Sequence, residues 1–562
     1  MQTPSGSITV ADAYLRLLAS RGIEYLFGNA GTDFPPLIEA FAKAQQSGSS
    51  VPKPVLVPHE NIAVGMAYGF AMVTGRMQAV MVHVGVGTAN AICGLFNASR
   101  QAIPIFMTAG RTPWTEGGVT GGRNNYINWA QEMFDQAGML REAIKWDFEL
   151  KHPMHLESVV DRAMALARSE PQGPVYLVLP REVLAQEHAQ PCAAAATLAP
   201  TSSGYPPPHV LERIGELLSR AERPVLITSD AGRDPKAWEA LARFAERHVV
   251  PVVQYRPRFA SLSSRHPMNA GYDPNPYLRE ADLVIVVDCD VPWIPEQVHP
   301  REDAKVVQFG ADPLFANYPL RGFRSDISLA ANTAATLDAL TQHSPSHQIA
   351  TRQAWVQKRR PPSIDAPTAH QGMTSAWVSH CIGQVSDDDT VVLNEYSLVL
   401  EHIQFTRQGN YFSHSPAGGL GWATGAALGV RLARPSATVI VCVGDGTYMF
   451  GNPTPFHFVS RAQQLPVLTV VFNNRRWGAV HRATLSMYPD GEAAQMSEPP
   501  FSTLEPSPDY EKIVESCGGY GEKVEDPAQL PAALSRALHA VRVQGLPAVL
   551  NVLTEINYSR TS

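Results

Sequence analysis

Residues 438 to 478, TVIVCVGDGTYMFGNPTPFHFVSRAQQLPVLTVVFNNRRWG, constrain the fold more than any other stretch of the chain. A β-branched apolar run from Thr438 to Val443 ends in Gly444-Asp445-Gly446. A second run, Val467 to Phe472, ends in Asn473-Asn474. Continuous apolar runs without alternation are the mark of strands buried on both faces, as in parallel sheets. Two such strands side by side would bring an acid and an amide together at their carboxyl ends, where open α/β sheets bind ligands.

The rest of the chain repeats this grammar. At 562 residues it is too long for one core. Three α/β blocks alternate with two looser stretches, and the expected domains are 1–184, 209–343 and 372–562. In the first, Tyr25-Leu26-Phe27 leads into a Gly-rich turn, and Val55 to Val57 is followed by His59-Glu60. Residues 61–75 (NIAVGMAYGFAMVTG) read as a helix of small residues suited to close packing. Ala79 to Val84 is a strand opening into GVGTAN, and Ile103 to Thr108 and Val175 to Leu179 complete a parallel sheet. The second block has strands at Pro224 to Thr228, Val249 to Val253, Leu283 to Val287 and Val306 to Phe309. The third has them at Val391 to Leu393, Thr438 to Val443, Val467 to Phe472 and Ala548 to Val552. Residues 185–208 and 344–371 are Ala-, Pro- and polar-rich and read as linkers. The expected fold is therefore α/β, with three parallel-sheet domains.

A net charge of −7 gives no reason to expect nucleic acid or an acidic membrane surface. No apolar run reaches the roughly 18 residues of a membrane span, and the start MQTPSGSITV lacks a secretory pattern. The six cysteines show no CxxC pair and read as buried free thiols of a reducing compartment. A cytoplasmic protein is the default expectation.

A carboxylate from Asp445 and an amide oxygen from Asn474 suit Mg²⁺, a hard ion that takes oxygen ligands in a tight octahedron. Gly444 and Gly446 let a backbone approach phosphates, and a helix after residue 446 offers free N–H groups to them. Gly-Asp-Gly alone is an ordinary turn. Followed by a strand ending in Asn-Asn, it resembles the diphosphate–metal motif of thiamine diphosphate (ThDP) enzymes.

The resemblance extends over the whole chain, to the ThDP-dependent 2-oxo acid decarboxylase and acetohydroxyacid synthase family. PAGGLGWATGAALGV (416–430) and FGNAGT (27–32) are locally similar to segments of its benzoylformate decarboxylases. The spacing from Asp445 to Asn474 is longer than the family's usual one, which places a short insertion in the GNPTP loop. The resemblance implies a pyrimidine-binding domain, a central domain and a diphosphate-binding domain, in that order.

It also implies roles. Glu60 would hydrogen-bond the aminopyrimidine and relay its proton; outside that context it is a solvated strand-end glutamate. Leu420 would wedge the cofactor into its bent shape, although a core leucine fits equally well. The Gly418 carbonyl would accept from the pyrimidine amino group. Asp445, Asn474 and the Arg476 carbonyl would ligate Mg²⁺, while Ser397, Gly444, Gly446, Thr447 and Trp477 would contact the cofactor. His83 follows Glu60 at the family's spacing for an active-site histidine and would protonate an adduct or orient a carboxylate. Thr32 matches a serine that touches substrate, or is a turn hydroxyl. Phe34, the segment 290–299 with His299, and the lengthened loop after Gly446 depart from the family and are expected to shape the pocket. The aromatic residues Trp293, Tyr448, Phe450 and Trp477 either line that pocket or belong to the core.

The implied activity is cleavage of a 2-oxo acid through an enamine. Aldehyde is then released, or the fragment is ligated to an aldehyde or ketone acceptor. An acetolactate-synthase-like carboligase and a ThDP-dependent C–C lyase or hydrolase are the alternatives. No flavin signature is visible in 209–343, so FAD is not expected. A non-catalytic relative would be expected to have lost Glu60. The family's domain arrangement implies a homodimer or homotetramer with sites between subunits.

Overall fold

The computed structural model describes residues 8–188, 192–360 and 365–555. It contains three parallel sheets, as the apolar runs require. The first is ordered Lys53–Leu56, Tyr25–Gly28, Ala79–Val82, Phe106–Arg111, Val175–Pro180, Asp147–Glu149. The third is ordered Tyr411–Ser413, Thr390–Glu395, Thr438–Gly444, Leu468–Asn473, Ala548–Leu553, Tyr520–Val524. Counted by order of appearance within each domain, both sheets run 2-1-3-4-6-5. The central sheet has five strands: Val252–Gln254, Pro224–Thr228, Leu283–Val287, Lys305–Gly310 and Ile327–Ala330.

Burial explains the apolar runs. Val439 to Val443 and Val467, Leu468, Val470 and Val471 are all inaccessible to solvent, because helices cover both faces of the sheet. The edge strands Asp147–Glu149, Tyr411–Ser413 and Tyr520–Val524 escaped the sequence reading. They are short or half-exposed, so their apolar signal is weak. The loop after Gly446 also differs from expectation. The helix Asp445–Phe450 stops after one and a half turns at Gly451-Asn452, with Asn452 left-handed (φ 49°), and restarts as Pro453–Ala462.

The two outer domains meet through their small-residue helices, Glu60–Thr74 and Trp422–Ala433. A Cβ on Gly69 would lie 2.0 Å from the Ala426 carbonyl oxygen, and one on Gly429 would lie 2.1 Å from that of Met66. Only backbones without side chains approach this closely. The neighbour expected for the 61–75 helix is thus a helix of the same chain.

Residues 344–371 are not a plain linker. Ile349–Arg359 is a helix whose Arg352 is fully buried, donating to the carbonyls of Leu218, Ala221 and His248, and Trp355 packs beside Tyr277. Four guanidinium hydrogen bonds to three carbonyls at helix ends make an arginine a buried residue here, which its polarity concealed. Within 185–208, Glu187–His188 pairs with Ile8–Thr9. All six cysteines are free, but only Cys289, Cys381 and Cys442 are buried; Cys93 is exposed, and Cys192 and Cys517 are intermediate. Among the described residues no helix is long and apolar enough to cross a membrane.

Candidate active site

In the first domain the chemistry gathers where the strand order reverses. The turn after Tyr25–Gly28 and the residue after Ala79–Val82 face each other across that crevice. His83 Nδ1 lies 2.5 Å from Asp33 Oδ1, and Asp33 Oδ2 accepts from the Val84 amide at 3.3 Å. Gln131 Nε2 lies 3.3 Å from the other imidazole nitrogen. Both contacts hold the ring in one orientation. The approach is tight: a Cβ on Gly31 would fall 2.1 Å from His83 Nδ1, and one on Gly110 1.8 Å from Asp33 Oδ2. Val84 takes φ 33°, a left-handed geometry costly for a β-branched residue and of the kind that collects at functional sites.

Glu60 begins the helix after the second strand and is 4% exposed. Its two carboxylate oxygens accept from Asn29 Nδ2 (2.8 Å) and Asn90 Nδ2 (3.1 Å). Neutral amide donors fix the carboxylate without the counter-charge that an arginine would impose.

In the third domain Asp445 and Asn474 follow adjacent paired strands. Asp445 is 2% exposed; its Oδ1 accepts from the Gly446 amide at 2.9 Å, while Oδ2 is buried without a partner. Burial pushes its carboxyl up to about 6, against the backbone N–H groups of Gly446, Arg475 and Arg476. A buried oxygen of this kind is costly unless a cation or donor meets it. Asn474 Oδ1 accepts from the Arg476 amide (3.0 Å), and the Arg476 carbonyl from that of Gly478 (2.9 Å). Among the described residues no group of three or more His, Cys, Asp or Glu side chains can hold a metal. An ion here would rely on one carboxylate, an amide, a carbonyl and oxygens brought by its own ligand, which suits Mg²⁺ with a diphosphate. Trp477 packs on Gly446, where a Cβ would sit 2.4 Å from the ring. Phe450 meets the same indole edge-on.

Ser397 Oγ donates to the Glu395 carbonyl, and Thr447 is buried in the helix after Gly444. Gly418 is left-handed (φ 68°), as a turn that exposes its carbonyl requires, and Leu420 beside it is half-buried. Thr32 is exposed, its carbonyl accepting from Arg181 at 2.9 Å; the next residue, Asp33, makes the contact to His83. Phe34 is 5% exposed within the apolar core around Leu26 and Leu37, so its place is structural and not in a pocket. The 290–299 segment is likewise anchored inward: Asp290 accepts from Arg258 and Tyr318, and Trp293 packs on Phe323, while His299 is exposed. Tyr448 is core, 2.6 Å from His457.

Sequence reasoning missed Asp33, Asn29, Asn90, Gln131 and Glu395. Glu395 ends the first strand of the third sheet, fully buried, and accepts from the Gly421 (2.8 Å) and Ala423 (2.9 Å) amides. Burial raises its carboxyl to about 7. An acid closing an otherwise apolar run, TVVLNE, was the available signal. A cavity of about 660 Å³ lies elsewhere, at the carboxyl edge of the central sheet between Asp288, Arg233 and Arg100.

Two outer α/β sheets of one topology, one ending in a buried glutamate and an oriented histidine, the other in a buried aspartate and a half-buried asparagine, define a cofactor-dependent enzyme. Three family descriptions match the chain: thiamine pyrophosphate enzyme, N-terminal TPP binding domain, over 8–139; central domain, over 211–340; and C-terminal TPP binding domain, over 395–552. The chain belongs to the thiamine pyrophosphate enzyme family. It is 27% identical over 490 residues to benzoylformate decarboxylase of Pseudomonas aeruginosa, covering 84% of this chain and 87% of that one. It is 24% identical over 562 residues to acetolactate synthase isozyme 3 large subunit of Escherichia coli, covering 95% and 92%. In fold it is similar to the ThDP-dependent 4-hydroxybenzoylformate decarboxylase of Rhodococcus jostii RHA1, with TM-score 0.81, 23% identity and coverage of 98% and 100%.

Proposed function

We propose that the protein is a ThDP- and Mg²⁺-dependent enzyme that decarboxylates a 2-oxo acid in a site formed between two copies of the chain. The observation that carries this reading is the buried, unpartnered Asp445 oxygen beside Asn474, in a chain that also keeps Glu60 buried between two amides. Asp445, Asn474 and the Arg476 carbonyl would hold the metal, and Gly446 and Thr447 would meet the diphosphate. When bound, the cofactor supplies the electron sink that stabilises the carbanion left by CO₂. The protein's part is to orient and to move protons. Glu60, fixed by Asn29 and Asn90, is the carboxylate that would hold or give up a proton toward the pyrimidine ring. His83, its Nδ1 held by Asp33, presents Nε2 to the substrate side, where a proton is needed for aldehyde release.

The helix Val84–Arg100 supports the pairing of two chains. Gly87 on this helix abuts Glu60, whereas Asn97 touches Gly419. The two are ten positions apart, a rise of about 15 Å along the helix. That separation supports a pairing in which a pyrimidine ring held by the Gly418 carbonyl would meet the Glu60 of a second copy. Tyr126, Trp129 and Phe134 on the first domain and Phe450 and Phe501 on the third are left exposed, which such pairing would cover.

The second reading is ligation of the decarboxylated fragment to an aldehyde or ketone, favoured by the similarity to an acetolactate synthase across 95% of the chain. A panel of 2-oxo acids with products separated into aldehyde and acyloin tests both. Glu60→Gln is expected to lower turnover about 10²- to 10⁴-fold while ThDP and Mg²⁺ still bind. Normal turnover by this variant, or full activity after Mg²⁺ chelation and removal of ThDP, would sink the proposal.

A further inference from the structure

We propose that Asn97 is a positioning residue for the loop that meets the cofactor's pyrimidine end, acting on it from the first domain of the same chain. The inference rests on the roles given above to Gly418 and Leu420. Asn97 Nδ2 donates to the Gly419 carbonyl at 2.8 Å, and Asn97 Oδ1 accepts from the Gly419 amide at 3.0 Å. One side chain thus satisfies both backbone groups of the residue between Gly418 and Leu420, in the manner of a neighbouring strand.

The loop needs such a partner. Residues 416–421 read PAGGLG, and Gly418 and Gly421 are left-handed at φ 68° and 80°. Three glycines in six residues leave many conformations to freeze. Glu395 fixes the far end through the Gly421 amide and the Ser415 carbonyl holds the Gly418 amide at 3.0 Å, while the Gly419 backbone is held by Asn97. Asn97 is 2% exposed, so its two bonds are shielded from competing water. The contact is also shaped for a glycine: a Cβ at 419 would fall 2.6 Å from Cys93 Sγ and 2.8 Å from Asn97 Nδ2. Asn97 lies near the end of the helix that starts after His83, so proton-handling residues and loop restraint share one rigid element. Domain adhesion does not require it, since the glycine-lined helix pair supplies that contact.

The test uses the full-length protein with Asn97→Ala and Asn97→Asp, and Cys93→Ser as a neighbouring control. Hydrogen exchange of the cofactor-free chain is read over 416–421. In Asn97→Ala one amide is expected to exchange about tenfold faster, the loss of one net hydrogen bond. In Asn97→Asp that amide stays protected, because the carboxylate still accepts from it, while the carbonyl loses its donor. In both variants ThDP affinity, titrated with Mg²⁺ by tryptophan fluorescence, is expected to fall about tenfold. The kcat for the best 2-oxo acid is expected to fall with KM nearly unchanged, and Cys93→Ser to behave as wild type. Unchanged exchange in Asn97→Ala, or unchanged affinity and kcat in Asn97→Asp, overturns the proposal. Should Asn97→Ala fail to fold, Asn97→Asp alone decides through affinity and kcat. If the wild-type chain takes up no ThDP, the proposed function and the cofactor half of this inference fall together, and the exchange result still reports whether the restraint exists.

Discussion

The first and third domains have the same strand order, and their glycine-lined helices pack on each other, yet their carboxyl edges hold opposite chemistry. In the first, every buried acid at the site has a partner: Glu60 two amides, Asp33 an imidazole and a backbone N–H. In the third, Asp445 keeps one oxygen without a partner. On the proposed reading, the group that moves a proton has its lone pairs directed by neutral donors, and the group that binds a cation keeps an oxygen for it. One topology thus serves two roles, decided by which side chains end the strands.

Four changes break or sharpen this contrast, in falling order of expected effect. Asp445→Ala removes the carboxylate proposed to ligate the metal and should weaken Mg²⁺–ThDP uptake more than about 100-fold, beyond the usual cost of an outer-shell change. Equilibrium dialysis would show it, with the fold retained by circular dichroism. Gly69→Val pushes a side chain into the Ala426 carbonyl, where even a Cβ would sit 2.0 Å away. A loss of about 3 kcal/mol is expected in denaturant unfolding.

Glu395→Gln tests the buried acid that ends the first strand of the third sheet. Its carboxyl is raised from 4.5 to about 7 by burial. A raised folded value means its stabilising contribution is complete below about 4.5 and is lost as pH rises through 7. Wild-type stability should therefore gain about 1–3 kcal/mol from this group on acidification from pH 8 to 5. The neutral glutamine should flatten that slope in parallel melts. Last, Asp33→Asn replaces the acceptor at His83 Nδ1. It should lower kcat about tenfold and shift the pH profile, with cofactor affinity unchanged. An unchanged profile would show that the imidazole needs no such orientation.

Much of this contrast was legible in the sequence. Central strands buried on both faces leave uninterrupted apolar runs, so Thr438–Gly444 and Leu468–Asn473 declared themselves, and with them the positions of Asp445 and Asn474. Small residues at helical spacing in 61–75 announced a close contact, because only missing side chains allow one. Edge strands were hidden because they are short or half-exposed, and the helix Ile349–Arg359 because its burial rests on partners that composition does not reveal.

What the chain alone determined is thus the local grammar: three parallel-sheet domains and the residue types at their strand ends. Period and turn chemistry are properties of neighbouring residues, and they survive without a fold. What only the tertiary structure decided is pairing across distance. It chose Asp33 over Thr32 as the residue that meets His83, buried Phe34 in the core, and brought Asn97 to Gly419 across 322 residues. Those contacts depend on helix axes crossing at backbone distance, and no local pattern records them.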